Sequence, residues 1–220
     1  MKKIDPVTPN RTQTETGELF ESNDTSTRIA TGISMVANPL FVALPLFLAV
    51  ALYTAPSLWQ GLVWWIITVL GMTVAPYLFI LRGIRSGKIT DHHVSDRTQR
   101  LIPLTFGLIC MIAAFAILIV LHATGQFLAT ATAVIVVLAG CIAVTQIAQW
   151  KISLHASGMA GAVTIVVFIF GPMYALLGLL LIVIGWARWQ VRAHTVLQTV
   201  GGSILAIILT VGIFFLFRIR

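Results

Sequence analysis

The chain has 220 residues, 58% of them hydrophobic and only 10% charged, with a mean hydropathy of +0.97 and a formal net charge of +7. Apolar runs of bilayer-spanning length recur along it, which excludes a water-soluble globular domain. The basic residues border those runs, so their charge reads as topology signals and contact with anionic headgroups rather than as nucleic-acid binding.

The first thirty residues read as a polar, disordered tail: they are rich in Thr, Asn and Glu and contain no apolar core segment of the kind a signal peptide needs. The rest, 31–220, reads as one membrane-embedded domain. A first span is expected over 33–54, entered through Asn38-Pro39, and a second over 58–81, ending in Arg82 and Arg85. A polar stretch from Lys88 to Arg100 follows. The third span is expected over 101–122, with Pro103 tolerated in its first turn, and the fourth over 127–149. A second polar stretch, Lys151-Ile152-Ser153-Leu154-His155, leads into a short fifth span over 155–170. That span opens on Ala156, Ser157, Gly158, Ala160 and Gly161, small residues that let helix backbones approach closely. Gly171-Pro172 ends it, and a sixth span is expected over 173–187. A third polar stretch, Arg188 to His194, then separates it from a seventh over 195–217. The expected fold is all-α, a polytopic integral membrane bundle of about six to seven transmembrane helices.

With seven crossings, the tail and all three polar stretches share one face. Twelve of the fourteen Lys and Arg residues lie there, leaving Arg218 and Arg220 on the other. The positive-inside rule makes that face cytoplasmic in a multi-pass cell-membrane protein. The tryptophans, Trp59, Trp64, Trp65, Trp150, Trp186 and Trp189, lie mostly near span ends and read as an interfacial belt. Cys110 and Cys141 sit inside apolar runs and read as small buried residues.

Ionisable residues at the edge of a bilayer are costly, and therefore functional candidates. Here they form a recognisable chemical set. Transfer of a phosphoryl group needs cations on its equatorial oxygens, an in-line nucleophile, and an acid for the leaving oxygen. Arg188, Lys151, Arg97 and Arg100 supply cations, and the arginine fork matches phosphate geometry. His155 and His194 supply a histidine pair able to act as nucleophile and acid near neutral pH. Gln198 follows His194 by four residues, one helical turn, and so can approach its ring. No carboxylate cluster of the kind a metal would need accompanies them; Asp91 and Asp96 stand alone, and His92-His93 reads as a solvated loop.

These spacings resemble the type 2 phosphatidic acid phosphatase superfamily of membrane lipid phosphate phosphatases. Its third motif, S-R-x5-H-x3-D, is matched by Ala187-Arg188, His194 and Gln198, and its second, P-S-G-H, by Ile152-Ser153-Leu154-His155. Its first, K-x6-R-P, is matched loosely by Lys88 to Pro103, with Arg97 and Arg100. The resemblance implies that His194 is a nucleophile forming a phosphohistidine, that His155 protonates the leaving group, and that Gln198 orients His194. It implies that Arg188, Lys151, Ser153, Arg97 and Arg100 hold phosphate. It also implies a lipid phosphate or polyprenyl diphosphate as substrate, with no metal and no other cofactor. Gln198 stands where the family has aspartate, and Leu154 where it has glycine. Two alternatives remain: a non-catalytic lipid-binding or transport protein that keeps the fold, favoured by Gln198, and a prenyltransferase-like enzyme using Asp91 and Asp96.

Overall fold

The computed structural model describes residues 25–87 and 101–219. These are mostly helical, with no strand among them. The helices are α1 (Thr25–Val36), α2 (Pro39–Thr54), α3 (Leu58–Val69), α4 (Ala75–Arg85), α5 (Leu101–Val120), α6 (Gly125–Ile147), α7 (Leu154–Phe170), α8 (Leu179–Gln190) and α9 (Val196–Leu216). A π-helical turn, Leu70–Val74, joins α3 to α4, and a 3-10 turn, Pro172–Gly178, leads into α8.

Five helical segments are long and apolar enough to cross a bilayer: Leu58–Arg85, Leu101–Val120, Gly125–Ile147, Pro172–Gln190 and Val196–Leu216. Counting α1 and α2 as one bent span makes six. This is a multi-pass membrane protein. The remaining expected span, the fifth, is α7; it has 17 residues and is about 26 Å long at 1.5 Å per residue, the shortest of the set. Gly171 stops it: its φ of +114° is open to glycine and strained for other residues, and Pro172 follows.

The expected elements are present with altered edges. Helix begins at Thr25, inside the stretch assigned to the tail, and breaks at Asn38 rather than running straight through 33–54. The cause is Pro39, which lacks an N–H and forces the preceding residue out of the helical region: Asn38 has ψ 128° and α1 and α2 meet at 47°. A second proline, Pro76, sits just past the π-turn, whose wider ring lets Ala75 N–H bond back to the Leu70 carbonyl.

The core runs between α2, α3, α5, α6, α7 and α9, around Phe47, Trp64, Leu118, Phe127, Ile165 and Phe214. Trp64 corrects the belt reading. It is buried against Phe127, their rings 5.6 Å apart, whereas Trp59 and Trp189 are exposed. α7 is the hub, packed on α2, α6, α8 and α9. Its small residues do what their size allows. A Cβ on Gly158 would stand 3.1 Å from Pro39 Cβ, and one on the facing Gly202 of α9 would stand 2.7 Å from Ser157 Oγ and 3.0 Å from the Ser153 carbonyl oxygen. Because α7 is held this closely, the position of its first turn is fixed by α2 on one side and α9 on the other.

Candidate functional site

The site is assembled from helix ends. Ser153 is the N-cap of α7: its hydroxyl oxygen accepts from Ala156 N–H, and its own N–H donates to the Gln198 carbonyl at 3.3 Å. That cap places His155 in the first turn of α7. α8 ends through Arg192, held at φ +51°, with Arg192 N–H on the Trp189 carbonyl and Ala193 N–H on the Arg188 carbonyl. This is the Schellman pattern of closure. His194 N–H also donates to the Arg188 carbonyl, at 3.2 Å. The five-residue gap between Arg188 and His194 therefore has a structural reason: it is the length of chain that folds back over the end of α8. Thr195 then caps α9, its hydroxyl accepting from Gln198 N–H at 3.3 Å.

The structure brings together His155, Arg188 and His194. All three are nearly buried, at 7%, 6% and 6% exposure, and all line one cavity of about 210 Å³. Three of the polar residues on its lining stand beside helix starts: Asn38 caps α2, His155 lies in the first turn of α7, and His194 precedes the cap of α9. Arg188 itself lies in the last turn of α8, where the negative end of the dipole offsets part of the cost of burying a cation.

The rest of the lining is mostly apolar, with Ser157 and Thr210 as further polar members. Its walls come from α2, the π-turn, α4, α5, α6, α7 and α9, including Leu46, Met72, Met111, Val137 and Ile165. From Leu154 to Ile165 it follows α7 for about 16 Å.

Gln198 fixes the state of His194. Its Oε1 accepts from the backbone N–H of Thr195 at 3.1 Å, and a backbone nitrogen can only donate, so the atom there is the amide oxygen. The same oxygen stands 3.2 Å from His194 Nδ1. Facing an acceptor, Nδ1 carries the proton, which leaves the lone pair of the neutral ring on Nε2. Thr195 and Gln198 complete a reciprocal capping box, so the residue that orients the ring is itself held by the start of α9.

The other expected ligands are placed differently. Ser153 is wholly buried, its hydroxyl in the cap of α7, and is not among the residues that line the cavity. Lys151 is half-buried in the connection before α7 and is likewise not on that lining. Arg97 and Arg100 lie outside the described residues, as do Asp91, His92, His93 and Asp96. Among the described residues, no three His, Cys, Asp or Glu side chains group so as to hold a metal. One lining residue, Asn38, was not singled out by any motif. Its signal was an amide and a proline inside an apolar run, where a polar side chain is a functional candidate by default.

Comparison with protein-family models, with curated proteins and with solved structures finds no match to this chain.

Proposed function

We propose that this chain is an integral membrane phosphatase that hydrolyses a lipid phosphate or isoprenoid diphosphate through a phosphohistidine. The observation that carries the reading is the cavity: two histidines and an arginine, all buried, on the lining of a mostly apolar cavity. A phosphate with a hydrocarbon chain is the ligand whose two parts match the polar and apolar parts of that lining.

Arg188 holds the equatorial oxygens of the phosphate. His194 Nε2 attacks phosphorus in line. A nitrogen–phosphorus bond forms as the bond from phosphorus to the leaving oxygen breaks, and His155 donates its proton to that oxygen. The histidine acid, now neutral, takes a proton from water as the water attacks phosphorus. The nitrogen–phosphorus bond breaks, inorganic phosphate leaves, and both histidines return to their starting states. Throughout, Gln198 keeps the Nδ1 proton of His194 in place. The basic residues bordering the spans on this side, Arg28, Arg82 and Arg85 among them, support a cytoplasmic active site.

The test is phosphate release by purified protein across a panel of lipid phosphates and diphosphates, with chelator present. Release is expected without added metal, and is expected to vanish in His194→Ala. Binding without turnover, under every metal condition, would favour the alternative of a lipid-binding protein. Gln198 supports that alternative, since a neutral amide stabilises a charged imidazole less than a carboxylate does. The prenyltransferase-like reading rests on Asp91 and Asp96, and magnesium-dependent transfer of a prenyl group would favour it.

A further inference from the structure

We propose that Asn38 is a ligand of the substrate's phosphate headgroup, donating a hydrogen bond from its side-chain amide; the proposal rests on the phosphatase reading of the same cavity. Every other polar group of Asn38 is already committed. Its backbone N–H donates to the Met35 carbonyl, its own carbonyl accepts from Phe41 and Val42 N–H, and its Oδ1 accepts from Leu40 N–H at 3.0 Å. A backbone N–H identifies the atom facing it as the amide oxygen, so Nδ2 points the other way. That NH₂ makes no hydrogen bond among the described residues. Asn38 lines the cavity together with His155, Arg188 and His194.

The residue is also held in place from both sides. Beyond it, Pro39 packs against Gly158 so closely that an added Cβ would lie 3.1 Å away, which fixes the start of α2 to the helix bearing His155. Before it, α1 packs on α8, the helix bearing Arg188, with Gln190 Nε2 donating to Ser26 Oγ at 2.9 Å. The break between α1 and α2 is thus clamped to both helices that carry the phosphate-binding chemistry. At α2 itself, proline at the first position and the Asn38 cap leave few free N–H groups, so the side-chain amide is the donor that this helix start offers.

Capping and phosphate binding can be separated by substitution. Aspartate caps a helix about as well as asparagine, but presents only acceptors and a negative charge. The experiment uses the full chain in detergent and measures inorganic phosphate binding by calorimetry and the thermal midpoint for wild type, Asn38→Asp, Asn38→Ser and Arg188→Ala. The expected result is a near-wild-type midpoint for Asn38→Asp and Asn38→Ser, both caps, with phosphate bound about 10- to 100-fold more weakly, the range for a hydrogen bond to a charged group. Wild-type phosphate affinity in Asn38→Asp, with binding lost in Arg188→Ala, overturns the role of Asn38 and leaves the phosphatase reading standing. No phosphate binding by wild type, alongside no phosphate release from any lipid phosphate, overturns both.

Discussion

Gln198→Leu should separate orientation of the nucleophile from stability of the helix that carries it. The wild-type amide oxygen serves two donors, Thr195 N–H at 3.1 Å and His194 Nδ1 at 3.2 Å. Leucine is similar in size and accepts from neither. Without that acceptor, the contact that favours the proton on Nδ1 is lost, and Nε2 is no longer the favoured free nitrogen. Orienting groups of this kind are worth a few kcal/mol in a water-poor site, so kcat should fall roughly 10- to 1000-fold. The capping box loses one of its two bonds as well, at a cost of about 1 kcal/mol in stability. Thr195→Ala provides the control. It removes the other bond of the box, Gln198 N–H to Thr195 Oγ1 at 3.3 Å, and leaves the Gln198–His194 contact in place. It should cost a similar ~1 kcal/mol with little loss of rate. Gln198→Glu keeps the length and the acceptor while adding a carboxylate, and should preserve or raise turnover. So should the shorter Gln198→Asp. The assay is single-turnover phosphate release, with folding checked by detergent gel filtration and thermal denaturation. Wild-type rates in a folded Gln198→Leu protein, or equal losses in Gln198→Leu and Thr195→Ala, would refute the orienting role.

Gly202→Ala should displace the first turn of α7, because the new Cβ would meet Ser157 Oγ at 2.7 Å and the Ser153 carbonyl oxygen at 3.0 Å. A loss of about 1–3 kcal/mol in stability and a marked fall in phosphate release are expected, whereas Gly212→Ala, which meets nothing within 4 Å, should be silent in both assays. His122→Gly should raise the thermal midpoint, since His122 ends α5 at φ 54°, a left-handed conformation that costs other residues about 1 kcal/mol or more relative to glycine. With Cys110 and Cys141 replaced by alanine, single cysteines at the exposed Gln149 and Gly125 should be labelled from opposite sides of the membrane, with Gln149 reached from the cytoplasm; labelling of both from one side would break the orientation argument.

Local pattern carried much of this fold. The apolar runs gave the long helices to within a few residues, because bilayer thickness fixes their length and Gly171-Pro172, Thr124 and Thr195 punctuate them. The nearness of Gln198 to His194 was legible from its spacing, but not its route: His194 precedes α9, and Gln198 reaches back to it from the capping box rather than across a helical turn. What sequence alone did not reveal depends on contacts between distant parts of the chain. Asn38 lines the cavity beside Pro39, which meets Gly158, more than a hundred residues later. Trp64 is core rather than belt because Phe127 covers it. The π-turn before Pro76 relieves a clash that apolar periodicity does not register. Ser153 was marked for its hydroxyl, and the hydroxyl turned out to cap α7, a role common to serines before helices and independent of any ligand.

The most direct test is to trap the covalent intermediate. Full-length protein is mixed with a lipid phosphate carrying ³²P in its headgroup, quenched in alkali within one turnover, digested, and analysed for the labelled peptide by mass spectrometry. Label is expected on His194, stable to alkali and lost in acid, present in wild type and absent from His194→Ala. Phosphate release with no trapped label, or label on a peptide that lacks His194, would show that the nucleophile lies elsewhere.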